Sequence, residues 1–169
     1  MKRLVCLAVV AALLSGCATL PKLDPAADIH AFLVSIRDGD RTAFEAHVDR
    51  DALKTQLRAR VLAETAAARG PASTSTLGAF LAGPLVDVAV DALLGPEVFR
   101  AVAQTRGYTV DQPIPGVIAI AQFIKPLGAG LVCVATVKNG PCVLDFKNED
   151  GVWRLTGFEG DLSLLRPRR

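Results

Sequence analysis

The sequence has few of the residues that most often carry chemistry. Aromatic residues make up 5% of the 169 positions, and there are only two histidines and four cysteines. These histidines and cysteines do not lie at the spacings of a zinc site, and four cysteines are too few for a small disulfide-knotted scaffold. We therefore expect no bound metal and no cofactor.

Catalytic motifs and a strong charge of one sign are absent as well. The sequence contains no G-x-S-x-G, no phosphate-binding loop and no H-E-x-x-H, so the common nucleophile, nucleotide and metalloprotease sites are not indicated. The formal net charge is only +2, whereas nucleic-acid-binding proteins are typically strongly basic. The sequence therefore predicts a protein that is not an enzyme and has no nucleic-acid partner.

Apolar residues, by contrast, are abundant, at 51% of the chain, which is enough to build the core of one domain. The first apolar run, residues 4–14, follows Lys2 and Arg3. At about 1.5 Å of rise per residue this run is too short to cross the hydrocarbon layer of a membrane. A basic start, a short apolar run and small residues after it predict a secretory signal peptide at residues 1–16.

The end of this segment, Leu14-Ser15-Gly16-Cys17, resembles the lipobox of bacterial lipoproteins. The resemblance implies a diacylglycerol thioether on Cys17, cleavage in front of it and acylation of its new amino group, for example by palmitate. Cys17 would then hold the mature chain at a membrane of the bacterial cell envelope. Ala18 stands where inner-membrane lipoproteins of enteric-type bacteria carry aspartate, which favours the periplasmic face of the outer membrane. The alternative is an ordinary secretory signal followed by a chance cysteine.

Beyond the signal, the predicted organisation is a tether over residues 17–23, a single domain over residues 24–160 and a basic tail over residues 161–169. The whole chain has 19 Lys and Arg against 17 Asp and Glu. Because cleavage removes Lys2 and Arg3, the mature chain is expected to carry no net side-chain charge.

Residues 24–105 have the apolar spacing of amphipathic helices. Asp24 and Pro25 predict an N-cap and a first helical residue, and Asp38-Gly39 predicts the end of that helix. Further helix starts are expected at Asp40, at Asp49 or Asp51, and at Gly95. The basic residues on the outside of the third helix are expected to form a solvated face: Lys54, Arg58 and Arg60.

The most apolar stretch after the signal, residues 77–94, contains Asp87 and Asp91. Two aspartates near the centre of a bilayer cost roughly 5–7 kcal/mol, more than the apolar residues of this stretch return, so we predict no transmembrane helix. The stretch is predicted to form a helix largely buried in protein. Asp87 and Asp91 lie one turn apart on it, and are either candidates for binding a ligand or cation or the outward stripe of the helix.

The C-terminal third predicts three strands, at residues 131–137, 141–147 and 152–158. A two-residue turn at Asn139-Gly140 and a four-residue turn at residues 148–151 connect them. This register would place one set of side chains on a single buried face: Cys133, Ala135, Val137, Cys142, Leu144, Phe146, Trp153 and Leu155.

Between the helices and these strands, residues 116–124 fit either a helix or a strand, and residues 125–130 are expected to be a break. Because helices come first and strands follow, the predicted class is α+β. N-terminal helices would pack on one face of a C-terminal three-stranded antiparallel meander.

The Asn139-Gly140 turn also decides what we expect of Cys133 and Cys142. With that turn the two cysteines would lie roughly 13 Å apart along the strands, whereas a disulfide needs Cα atoms within about 7 Å. We therefore expect two buried free thiols, even though an oxidising periplasm favours their pairing.

Two further resemblances concern the folded part. Residues 36–49 are similar to the opening of cystatin-like α+β rolls of the nuclear-transport-factor-two type. More closely, three segments together resemble a bacterial family known as domain of unknown function 2939: residues 32–62, 83–87 and 153–156. This resemblance would cover residues 28–160, and it implies no known activity and no site residues.

These observations lead us to expect a membrane-anchored envelope lipoprotein that acts as a non-enzymatic binding or scaffolding module, with an envelope protein or a lipid as partner. A carrier of a small apolar ligand or lipid is the alternative, because a sheet backed by apolar helices can enclose a cavity. An envelope hydrolase is the third candidate, and it would need a cleft uniting Asp87, Asp91 and a histidine.

Overall fold

A computed structural model describes residues 20–69 and 91–159 of the chain. The predicted signal peptide, Cys17, Asp87 and the basic tail at residues 161–169 lie outside the described residues. Within the described ranges no helix is both long and apolar enough to span a membrane.

The first helix, α1, spans Leu20–Asp38 and begins four residues before the predicted start. The prediction of a tether through residue 23 is therefore wrong for its last four residues. Pro25 lies inside the helix, as its sixth residue. Because Pro25 has no backbone N–H, the carbonyl of Pro21 in the first turn has no helical hydrogen-bond donor. The predicted end is confirmed, because Gly39 follows with the positive φ of +71° that favours glycine.

Helix α2 spans Arg41–Ala46 and helix α3 spans Arg50–Arg69. Both begin at the predicted caps. The Asp40 carboxylate accepts a hydrogen bond from the Ala43 backbone N–H at 3.0 Å, and Asp49 accepts one from Ala52 at 3.0 Å. Such caps satisfy backbone donors that the first helical turn leaves free.

Helix α4 spans Pro96–Thr105, with Gly95 as its predicted N-cap, and helix α5 spans Val117–Ala121. The ambiguous segment, residues 116–124, is thus helical over Val117–Ala121, and its last residue begins strand β1, Ile124–Gly128. The prediction of a break at residues 125–130 is wrong for the part that β1 covers. Pro126 signalled the break, but β1 is an edge strand, where a residue without a backbone N–H is tolerated.

Within residues 124–158 four strands form one antiparallel sheet in the order β1-β2-β3-β4. After β1 come β2, Leu131–Ala135; β3, Cys142–Glu149; and β4, Val152–Phe158. The α+β class is confirmed, with N-terminal helices and a C-terminal antiparallel sheet that has four strands rather than three.

The turn between β3 and β4 is shorter than predicted. Asn148 pairs with Trp153 and Glu149 pairs with Val152, so only Asp150 and Gly151 form the turn, with φ values of +53° and +86°. Phe146 consequently lies opposite Leu155 rather than Trp153. The pairing has moved by two residues, and because side chains alternate with a period of two, Phe146, Trp153 and Leu155 still share the buried face.

The core between helices and sheet is built around phenylalanine rings. Phe32 of α1 lies 5.5 Å from Phe44 and 5.7 Å from Phe146, measured between ring centroids. Phe99 of α4 completes the group, at 5.9 Å from Phe32 and 5.3 Å from Phe44. These spacings suit favourable aromatic pairs, so the rings fill the centre of the described core and join three helices to β3.

The outer edge of β4 is covered by groups from the first three helices and their connections. Leu155 donates its backbone N–H to His47 O at 2.9 Å and accepts from Asp49 N–H at 3.0 Å. Further along the strand, Gln56 accepts from Phe158 N–H at 3.0 Å and donates back to Phe158 O at 3.2 Å. The strand therefore does not expose its backbone for pairing with another chain.

At its first residues, β4 is held by two carboxylates of α1. Asp24 accepts from the Trp153 indole N–H at 2.8 Å, and Asp28 accepts from the Trp153 backbone N–H at 2.8 Å. The two aspartates are one helical turn apart and so project on the same side of α1. One tryptophan thereby connects α1 to a strand more than 120 residues later.

Replacing Trp153 should show what this connection contributes. Trp153→Ala should lower the free energy of unfolding by about 3–5 kcal/mol through lost packing. Trp153→Phe keeps most of the apolar surface and should lose about 1.5–3 kcal/mol, the value of a hydrogen bond to a charged group. Urea unfolding followed by circular dichroism measures both.

A double-mutant cycle identifies the partner. Asp24→Ala should destabilise the domain about as much as Trp153→Phe, and the double variant should lose clearly less than the sum, because the two groups share one bond. Additive losses would contradict the assigned contact.

Candidate functional site

Of the residues singled out in the sequence, Asp91 is the one candidate ligand-binding residue that lies in the described part of the chain. Cys17 and Asp87 lie outside it, so the predicted pairing of Asp87 with Asp91 stays a prediction. Asp91 itself accepts a hydrogen bond from Lys54 Nζ at 2.8 Å and one from Arg50 Nη1 at 3.2 Å.

The surroundings of Asp91 compensate its charge. The hydrogen bond from Lys54 is the largest cause that lowers the pKa of the Asp91 carboxyl below its ordinary value, and Arg50 adds to it. Arg50 also donates to Leu94 O at 3.1 Å and to Glu45 at 2.8 Å. Asp91 therefore fixes the segment around residues 91–94 against α3, and its oxygen is already engaged by two cations.

These contacts change the interpretation of the basic residues of α3. Lys54 is only 23% exposed and bound to Asp91. Arg60 donates to Phe158 O at 2.6 Å, and its guanidinium lies 5.1 Å from the centroid of the Phe158 ring. The prediction of a solvated face is wrong for these two residues, because they hold neighbouring elements to α3; Arg58 is exposed, as predicted.

The clearest departure from the sequence prediction is a disulfide between Cys133 and Cys142, whose Cα atoms are 5.5 Å apart. The Asn139-Gly140 pair does not close a two-residue hairpin, since β2 ends at Ala135 and β3 begins at Cys142. The expectation of two free thiols is therefore wrong.

The register of β2 explains the disulfide. Val132, not Cys133, lies opposite Phe146, so β2 is displaced by one residue from the predicted pairing. A slip of one residue turns every side chain of a strand to the other face. Val132 joins the phenylalanine core, and Cys133 faces the other side of the sheet, opposite Asp145. An irregularity after Val134 then brings Ala135 opposite Cys142.

Asp145 completes a small cluster with the two cysteines. One carboxylate oxygen of Asp145 and both sulfur atoms lie within 4.8 Å of one another. Burial raises the pKa of the Asp145 carboxyl above its ordinary value, and the negative charge of Glu159 adds to this effect. Gly157 lies opposite Asp145 in the neighbouring strand. A Cβ on residue 157 would lie 3.4 Å from side-chain atoms of both Asp145 and Gln56.

The chemistry open to this cluster depends on its redox state. As a disulfide the two sulfurs are not thiolates and do not bind metal ions. After reduction, two cysteines and an aspartate would offer three ligands of a kind that zinc accepts. Sequence reasoning missed the cluster because the predicted register kept the cysteines apart; their even number in a predicted exported chain was the signal that pointed to pairing.

Thiol counting tests the disulfide directly. In denatured protein purified without reductant, the number of titratable thiols should rise by two on reduction, because Cys133 and Cys142 are joined. The double variant Cys133→Ser/Cys142→Ser should show no such rise and should lose about 2–4 kcal/mol of stability. An unchanged count in the parent protein would contradict the pairing.

The pH dependence of stability tests the environment of Asp145. Because its pKa in the folded state lies above the ordinary 3.8, folding favours the protonated form, and stability falls as the pH rises through the folded pKa. Asp145→Asn should therefore be more stable than the parent at neutral pH, and the difference should shrink in acid. Asp150→Asn, in the exposed turn between β3 and β4, is the matched control for the loss of one carboxylate. Equal profiles for parent and Asp145→Asn would contradict the assignment.

Comparison with known proteins agrees with one of the sequence resemblances. The model of a family described as "Protein of unknown function (DUF2939)" matches residues 10–102, more than half of the chain. The match begins inside the predicted signal peptide and ends within α4, so it does not include the sheet, unlike the expected extent of residues 28–160. No curated protein and no solved structure matches the chain. The chain belongs to the DUF2939 family.

Proposed function

We propose that this protein is a lipoprotein of the bacterial cell envelope, anchored by acyl chains on Cys17 at the periplasmic face of the outer membrane. The observation that carries the proposal is Leu14-Ser15-Gly16-Cys17, placed directly after a basic start and a short apolar run. One acyl chain binds a membrane only marginally, whereas two or more give stable anchoring. Ala18 favours the outer membrane.

The disulfide supports export by an independent route. Disulfides persist in oxidising compartments such as the periplasm and are rare in the cytosol. With Cys6 removed in the signal peptide and Cys17 acylated, Cys133 and Cys142 are the remaining two of the four cysteines, and they are paired. The mature protein would therefore carry no free thiol.

The domain itself is proposed to be a non-enzymatic module that binds or organises an envelope partner. The rings of Phe32, Phe44, Phe99 and Phe146 occupy the centre of the described core, which favours a module over the carrier of an apolar ligand. Asp91 is engaged by Lys54 and Arg50, which argues against its use as a general acid or base in a hydrolase.

Substitution of Cys17 tests the anchor. Cells that express Cys17→Ala should incorporate no labelled palmitate into the protein and should accumulate the uncleaved precursor, because the lipid is added to the cysteine thiol before cleavage. Cys6→Ala is the matched control: it removes a cysteine from the apolar run and should leave labelling and processing intact. Labelling that persists in Cys17→Ala would refute the proposal.

A further inference from the structure

The distance between the proposed anchor and the folded domain is short. Only two residues separate Cys17 from Leu20, where α1 begins. A fully extended chain covers at most about 3.6 Å per residue, so the start of α1 lies within roughly 11 Å of the anchored cysteine. The headgroup layer of one leaflet is itself about 5–8 Å thick. An acylated Cys17 would therefore keep the first turn of α1 at the membrane surface.

The start of α1 is next to one particular end of the sheet. Asp24 is about 6 Å along the helix axis from Leu20, and it accepts the indole N–H of Trp153. Trp153 is the second residue of β4, directly after the Asp150-Gly151 turn. The end of the sheet that holds this turn is thus tied to the first two turns of α1.

The turn between β1 and β2 lies at the same end. Asn148 donates its backbone N–H to Gly130 O at 2.8 Å, and Leu131 pairs with Lys147 near the end of β3. Both hairpin turns therefore lie at the end of the sheet to which the start of α1 is tied, whereas the 136–141 connection between β2 and β3 lies at the opposite end.

Two large apolar side chains are exposed beside the β1–β2 turn. Leu127 is 55% exposed and Leu131 is 37% exposed. Leu127 is the residue left unpaired where the register shifts between Pro126 and Gly128, which leaves it in an irregular part of the edge strand. We call this pair the leucine tip.

We propose that the leucine tip rests on the bilayer that holds Cys17, so that the domain has a fixed membrane-facing end. The inference rests on the proposed lipid anchor. A bilayer is the occupant that the chain length favours, because the anchor keeps this end of the domain at the lipid surface at high local concentration. Two leucines would bind membranes weakly alone, but they add apolar contact to an anchor already inserted. Lys147 and Glu149 form a 3.0 Å ion pair beside the tip and need no lipid counter-charge.

Fluorescence quenching by brominated lipids tests the orientation. Lipidated full-length Leu127→Trp is reconstituted into phosphatidylethanolamine–phosphatidylglycerol vesicles with and without brominated acyl chains. Val137→Trp is the matched control, since Val137 is also well exposed, at 59%, but belongs to the opposite connection. Val137 lies beyond the far end of β2, which is itself about 13 Å long, so we expect a several-fold larger fractional quenching of the added tryptophan at position 127. Trp153 contributes the same background to both.

The possible outcomes separate the orientation from the anchor. Mass spectrometry of the same samples shows whether Cys17 carries acyl chains. If Cys17 is acylated and both variants are quenched equally, the orientation is overturned while the anchor stands. If Cys17 is not acylated, the anchor itself fails. Emission from Leu127→Trp that is blue-shifted without vesicles and insensitive to brominated lipid would mean that another part of the chain, or a second copy, covers the tip, and would also overturn the proposal.

Discussion

The covering of the outer edge of β4 is the constraint on which the rest of the fold depends. An exposed strand edge offers unpaired N–H and C=O groups to any other strand. Here, α1 contributes the carboxylate of Asp28, the link between α2 and α3 contributes backbone groups, and α3 contributes Gln56 and Arg60. Each contact satisfies a backbone group and also fixes where a helix lies, so the helices and the sheet define one another's positions.

This arrangement also explains how the DUF2939 region relates to the remainder of the chain. The family match stops at residue 102, before β1, yet Asp28, Asp49 and Gln56 lie inside it and bind β4, which lies outside it. The matched helices are therefore not a separate structural unit in this protein. Their polar side chains form hydrogen bonds with the sheet, and their phenylalanines form the core against which the sheet packs.

Local chemistry determined which features could be predicted from the sequence. Asp40 and Asp49 cap helices through hydrogen bonds to residues three positions later. Asp38-Gly39 ends α1 because of the backbone preference of glycine. Both kinds of helix boundary could therefore be predicted without knowledge of the fold. The register of β2 could not be predicted in this way, because a slip of one residue changes no local preference and moves Cys133 to the other face. The contacts of Asp24 with Trp153 and of Asp91 with Lys54 join segments that are distant in the sequence. No local residue pattern predicts such contacts.

Different interactions stabilise the two ends of the sheet, and one of these ends is the end proposed to face the membrane. At the end near α1, Trp153 is held by two carboxylates, and the proposed anchor lies within roughly 11 Å of the start of the same helix. At the other end, the Cys133–Cys142 disulfide closes the connection between β2 and β3, and Gln56 and Arg60 hold the last residues of β4. The 136–141 connection is longer than the two-residue turns at the other end, so its open chain has more conformational freedom for a covalent bond to restrict. The end proposed to face the membrane instead has two-residue turns and is held by α1, so the helix that would directly follow the proposed anchor is also the one that holds the sheet in place.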